Sequence, residues 1–195
     1  MDMKKLLLAA LVASTLGFAG LATAATPVVS SGTITVNGKI VSSTCTVTAN
    51  GQQNPTITLP TLDTNSLPAG ASAGWTALTF SVTGCSAVTN PAATSLSTYF
   101  SSVNVDSTTG YLKNTTAGGS NVEIVLSNSQ TAALGAGNGL ALNAPAGSQN
   151  TPVVAIPGTT TGIATFNYYV GYVAGTSAAT AGAVNTTVQY ALSYQ

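Results

Sequence analysis

Apolar and polar residues alternate over most of this 195-residue chain. Ile34 and Val36 alternate with Thr33, Thr35 and Asn37. Ile57 and Leu59 share one side of residues 55–59, and Leu78, Phe80 and Val82 share one side of residues 77–83. The same period of two recurs at Val103 and Val105 after Phe100, and at Val122, Ile124 and Leu126, with Glu123 on the opposite side. Residues 163–173 place Phe166, Tyr168, Val170 and Tyr172 together, and the pattern returns at Val184, Thr186, Val188, Tyr190, Leu192 and Tyr194. Successive strand side chains point to opposite faces, so this period in segments rich in Val, Ile, Thr and Tyr predicts half-buried strands. Turn formers separate them, at Asn50-Gly51, Pro68 with Gly70, Thr109-Gly110 and Gly118-Gly119. Short strands at near-regular spacing predict an all-β fold, an immunoglobulin-like β-sandwich in one domain. The Gly/Ala-rich stretch 132–147 is expected to be a long surface loop of that domain.

The first residues depart from this pattern. Lys4 and Lys5 precede an apolar run over residues 6–12, which thins into small residues, and Ala22-Thr23-Ala24 stands before Ala25. A basic start, a short apolar centre and a small-x-small end are the three parts of a secretory signal peptide. Residues 1–24 are expected to be that segment, cut after Ala24 or, as the second choice, after Ala25. A buried N-terminal helix is the alternative, but it leaves the basic pair and the Ala-x-Ala site without a role. The apolar centre is too short and interrupted for a permanent anchor. No later apolar run approaches spanning length, so no membrane anchor is expected.

Charge narrows the possible partners. Charged residues are 4% of the chain, and after residue 24 they are Lys39, Asp63, Asp106, Lys113 and Glu123; Arg and His are absent. Such a surface has no electrostatic footprint for nucleic acid and no polybasic patch for acidic lipid. Low charge favours association, which suits a subunit that binds its own kind. Cys45 and Cys85 are the two cysteines, and an even count in an exported chain reads as one disulfide. Closing a loop of that length is worth roughly 4 kcal/mol in the chain-entropy model. Free buried thiols are the alternative; a metal site is weaker still, since two thiols without His lack a ligand set.

Catalytic chemistry is not evident. With no His, no group has an ordinary pKa near neutrality. Asp63, Asp106 and Glu123 lie in different segments, and no Ser or Thr has a base at a useful spacing. The glycines at 135–139 lack the Lys and flanking context of a phosphate loop. Trp75 reads as a partly buried core residue, with a sugar platform as the alternative. Asn114-Thr115-Thr116 and Asn185-Thr186-Thr187 fit the glycosylation pattern, which a Thr-rich chain produces by chance. No catalytic residue, metal ligand or cofactor is assigned.

The two ends are more specific. Before Cys45, one face of a strand-like run offers Val28, Ser30, Gly32, Ile34, Val36, Gly38 and Ile40. Read alone, this run is equally a first strand folded against its own core. At the other end Gly182 is fourteenth from the C-terminus, Tyr194 is penultimate, and Val184, Val188, Tyr190 and Leu192 alternate between them. With Phe80-Ser81-Val82-Thr83-Gly84-Cys85, Thr58-Leu59-Pro60 and Leu67, the chain resembles the pilin subunits of chaperone–usher fimbriae, of the type 1 fimbrial family.

That resemblance implies an incomplete immunoglobulin-like β-sandwich, completed by a donor strand from a neighbouring subunit. It divides the chain into a signal peptide (1–24), a donor-strand arm (25–41) and a pilin domain (42–195). Ile34, Val36 and Ile40 would fill groove pockets, and Gly32 and Gly38 would lie where the groove is shallow. The strand from Gly182 to Tyr194 would border the groove and pair with a periplasmic chaperone, and the outer-membrane usher would exchange that chaperone for another subunit's arm. The expected product is a structural subunit at the surface of a Gram-negative bacterium, supporting adhesion and biofilm formation, and not an enzyme. Two alternatives remain at this level: a polymeric adhesin whose shaft subunit itself binds a host-cell or abiotic surface through Trp75, Tyr99 or residues 132–147, and a self-contained secreted sandwich.

Overall fold

The computed structural model of the chain describes residues 33–36, 45–85, 93–130, 139–156 and 163–195. The chain divides into two units, residues 1–37 and 38–195. In the first, residues 33–36 have no regular secondary structure, and Ile34 and Val36 are 88% and 86% exposed. The expected signal segment, Ala24, Ala25, Val28, Ser30, Gly32, Gly38 and Ile40 lie outside the described residues.

The described strands of the second unit are β1 (Thr46–Ala49), β2 (Ser72–Thr83), β3 (Ser95–Ser101), β4 (Leu112–Lys113), β5 (Glu123–Ser127), β6 (Val153–Ala155), β7 (Ala164–Val173) and β8 (Gln189–Tyr194). They form a five-stranded sheet in the order β1-β2-β7-β5-β4 and a three-stranded sheet in the order β6-β3-β8. Every pairing is antiparallel. The alternation read from the sequence sets their inner faces. Leu78, Phe80 and Val82 of β2, Phe166, Tyr168 and Val170 of β7, and Ile124 and Leu126 of β5 share one buried core with Leu96 and Phe100 of β3.

Aromatic rings join the two sheets. Phe80 and Phe100 meet edge to face at 5.8 Å, and Phe100 and Tyr168 at 5.4 Å. Such pairs add about 0.5–1.5 kcal/mol beyond their buried area. The Tyr168 hydroxyl shares a hydrogen bond with Thr98 of β3. Burial pushes the Tyr168 phenol up to about 12, although the bond to Thr98 acts to lower it. The folded state thus holds this proton more tightly than the unfolded chain does. Its contribution to stability is full below the ordinary tyrosine value of 10.0 and is lost as pH rises through about 12. Tyr168→Phe is expected to lower stability at neutral pH by about 1–3 kcal/mol, because the buried Thr98 hydroxyl loses its partner. It is also expected to flatten the alkaline limb of the stability profile. Denaturant titrations from pH 7 to 12 check both; an unchanged alkaline limb would assign that limb to other groups.

Cys45 and Cys85 form a disulfide with Cα atoms 4.1 Å apart. They flank the β1–β2 ladder, whose last pair is Thr46 with Thr83. Among the described residues β1 pairs with β2 alone and is four residues long, so the bond anchors a short edge strand. Replacing both cysteines by Ser is expected to cost about 2–5 kcal/mol. Urea denaturation of the variant beside the oxidised parent measures this, and equal midpoints would refute it.

Two expectations need correction. Val103 is 100% exposed in a turn and does not continue a strand. β3 ends at Ser101, and the Ser102 hydroxyl turns the chain by accepting from Asn104 N (3.0 Å) while donating to Thr187 O (2.6 Å). The stretch 132–147 is not wholly a surface loop either. Leu140 and Leu142 are buried, and Leu140 N donates to Leu126 O at 2.8 Å. Two leucines at strand spacing belong to the core, and the surrounding Gly and Ala disguise them.

Candidate functional site: a groove beside an open strand edge

The C-terminal segment is bonded along one side. Gln195 and Ser95 exchange two backbone bonds (2.9 and 3.1 Å), so by antiparallel alternation Ser193, Ala191 and Gln189 direct theirs to β3. Upstream, where β3 has ended, groups of residues 102, 114 and 115 replace it. Asn114 Oδ1 accepts from Asn185 N at 2.9 Å, Thr115 N donates to Asn185 O at 2.8 Å, and Ser102 serves Thr187. Val184, Thr186, Val188, Tyr190 and Leu192 therefore turn their N–H and C=O groups the other way, where no described residue bonds them. Their side chains face inward: Val184, Val188, Tyr190 and Leu192 pack on the core.

Opposite lies a segment that the sequence predicts as a strand. Ile57 and Leu59 pack on the core, yet residues 56–62 belong to no strand and their backbone makes no hydrogen bond to described residues. A gap separates these two walls. A cavity of about 540 Å³ lies between Ile57 and Leu59 on one wall and Val184, Thr186 and Val188 on the other, floored by Leu78 and Leu126. A second, of about 560 Å³, shares Ile57, Leu78 and Val188 with it and ends at Val47 and Tyr190. A third, of about 480 Å³, joins the first through Tyr172 and Val184. The three follow the C-terminal wall in line. Thr186 Oγ1 is buried in that wall with no hydrogen-bond partner among the described residues.

Two residues shape the groove. The Tyr190 hydroxyl donates to Gln53 O at 2.6 Å, spanning from one wall to the other, and its ring meets Phe80 at 4.8 Å. Gly182 marks where the C-terminal wall crosses residues 119–120. A Cβ at Gly182 would lie 2.6 Å from the carbonyl carbon of Gly119 and closer still to Ser120 N. Asn114 ties the crossing, donating to Ser120 O (2.8 Å) and Ala183 O (2.9 Å). Its amide is thus occupied within the fold. Sequence reasoning took Asn114 for a chance glycosylation pattern and missed this role.

The other candidates are dispersed. The structure brings two of the three carboxylates together. Asp106 pairs with Lys113 Nζ at 3.2 Å, and Thr109 donates to Glu123 at 3.2 Å. The Thr108 amide, followed by Lys113, holds the Asp106 carboxyl below its ordinary range, while burial pushes Glu123 up. Asp63 stands apart and caps a short turn, accepting from Asn65 N at 2.8 Å. No group of three or more potential metal ligands occurs among the described residues. Trp75 is half-buried against Gly171, where a Cβ would lie 2.7 Å from its ring, at an irregularity in the β2–β7 register. Tyr99 is half-buried on β3.

Residues 34–195 match the family model described as fimbrial protein. The F17 fimbrial protein of Escherichia coli is 37% identical over 183 residues, covering 92% of this chain and 96% of the relative. The major fimbrial subunit SMF-1 of Stenotrophomonas maltophilia (strain K279a) is 38% identical over 170 residues, covering 84% and 92%. Among solved structures, a chaperone–usher pilus shares the fold at TM-score 0.54 and 18% identity, covering 85% of this chain and 96% of that one. The P pilus rod subunit PapA shares it at TM-score 0.53 and 17% identity, covering 77% and 99%. The chain belongs to the fimbrial protein family, whose members are structural subunits of surface pili, and its fold is the incomplete immunoglobulin-like sandwich of pilins.

Proposed function

We propose that this subunit polymerises by donor-strand exchange, its groove accepting residues 28–40 of another copy. The carrying observation is the backbone edge from Val184 to Leu192, unpaired among the described residues, beside an apolar gap. Strand addition supplies main-chain bonds for affinity and alternate side chains for register. Residues 28–40 extend to about 43 Å and residues 184–194 to about 36 Å at 3.3 Å per residue, so the arm is long enough to span the wall. An antiparallel entry that sets Gly32 over Tyr190 puts Ile34 beside Val188 and Val36 beside Thr186. Glycine then faces the position that Tyr190 crosses, and the branched side chains face the cavity lined by Thr186 and Val188. Each of these side chains contributes about 1.5–3 kcal/mol when fully buried.

An open edge beside an apolar groove is an aggregation hazard for a free subunit. A periplasmic chaperone is the proposed temporary cover, and an outer-membrane usher the site of exchange. Residues 1–24 direct export, and the oxidising periplasm forms the disulfide. The role is structural, not catalytic, in a surface fimbria that supports adhesion and biofilm formation. The test is a second copy of residues 28–40 placed after Gln195 through a flexible linker. The subunit should become a monomer and melt at a higher temperature than the parent. A graft that neither stabilises nor blocks polymerisation would refute the groove assignment.

A further inference from the structure

The three-stranded sheet has two edges, and they are unequal. From Leu192 upstream to Val184, the outward backbone groups of the β8 edge have no bond to a described residue. The opposite edge is closed in pieces. β6 pairs with Ser95, Leu96 and Ser97 and is three residues long. Pro152 precedes it and Pro157 follows soon after, and proline cannot donate to a ladder. Beyond Ser97, β3 runs on to Ser101 with no strand on that side among the described residues. There Gln149 takes the place of one. Its Oε1 accepts from Phe100 N at 2.9 Å and its Nε2 donates to Phe100 O at 2.7 Å. This is the two-bond exchange that an antiparallel strand residue would make with Phe100. Nε2 also reaches Ala144 O (3.1 Å) and Leu142 O (3.3 Å), so the same amide holds its own loop over the edge. Gln149 is 0% exposed. A residue needed for volume alone would be apolar at such a site, since burying an amide is unfavourable unless its bonds are made.

We propose that Gln149 is a specificity-determining residue for assembly. It stands in for a strand at Phe100, denies that edge to incoming arms, and leaves the β8 edge as the acceptor. Within this sheet each subunit then offers one site for an incoming arm. This rests on the donor-strand reading of the groove, and the test separates the two.

The chain carrying the second copy of residues 28–40 after Gln195 fills its own groove. If that parent still polymerises, the groove reading fails and this inference falls with it. With a monomeric parent, Gln149→Leu leaves the Phe100 N–H and C=O unpaired. The Phe100 amide should then exchange about 10–100-fold faster. In sedimentation the variant should form concentration-dependent dimers and larger species where the parent stays monomeric. A lower melting temperature with no association at any concentration would mean that Gln149 only stabilises, and would overturn the proposal. Gln149→Glu guards against a variant that fails to fold. Protonated, its carboxyl accepts from Phe100 N and donates to Phe100 O as the amide does; ionised, it cannot donate. The variant should be monomeric in acid and associate as pH rises to 7, with the parent monomeric throughout. Association independent of pH, or absent, would likewise overturn the proposal.

Discussion

Replacing Ile34 and Val36 together by Asp is expected to abolish polymerisation and leave the subunit folded. Both side chains are almost fully exposed, so the fold loses little. In the proposed complex both enter an apolar cavity. The change removes about 1.5–3 kcal/mol of burial at each position and adds two carboxylates that must be desolvated without partners. A combined loss above about 6 kcal/mol weakens association by more than 10⁴-fold. Electrophoresis of surface extracts without boiling reads the result directly: the parent should give a ladder of heat-dissociable multimers, the variant a monomer band. The variant keeps its groove, so mixed with parent subunits it should accept an arm and then end the chain. Full-length ladders from the double variant would remove the arm from the mechanism. Deleting residues 26–38 should give the same loss without introducing charge, which separates burial from electrostatics.

The second large effect is expected at Gly182. A side chain there meets the backbone of Gly119 and Ser120, not the flexible end of another side chain. Backbone cannot yield cheaply, so the C-terminal wall must lift from the crossing that Asn114 ties. Overpacking of this kind costs about 1–3 kcal/mol for one added methyl and more for a branched side chain. Gly182→Ala is therefore expected to lower the melting temperature, and Gly182→Val to lower it further and to disorder the groove edge. The distinguishing readout is hydrogen exchange over residues 183–188, which should rise before the core residues of β2 and β7 do. If Gly182→Val melted and assembled like the parent, the close crossing would have no structural consequence.

Much of the fold was legible because period-two alternation reports directly on burial. Leu78, Phe80 and Val82, and Phe166, Tyr168 and Val170, face the core as the pattern predicts. Alternation fails where burial and pairing part company. Ile57 and Leu59 carry the pattern and pack on the core, but their backbone has no ladder among the described residues. Leu140 was hidden because small residues around it lower the local signal. Gly182 could be picked out by position, but its cause, a crossing of two backbones, involves residues more than sixty positions apart. Asn114 and Gln149 were illegible for the same reason. A side chain that replaces a strand's hydrogen bonds leaves no periodic trace.

The disulfide has a mechanical consequence. In the proposed assembly, tension on a fibre would enter each subunit through its donated arm, which leads along the chain to Cys45. A four-residue edge strand is a poor anchor for a pull. The bond from Cys45 to Cys85 carries the force past β1 and delivers it to the end of β2, a twelve-residue strand flanked on both sides in the larger sheet. Non-covalent resistance then falls mainly on the strand lying in the next subunit's groove. A stretched fibre lacking this bond should yield by unravelling its subunits from β1 inward, whereas the oxidised fibre should part between subunits.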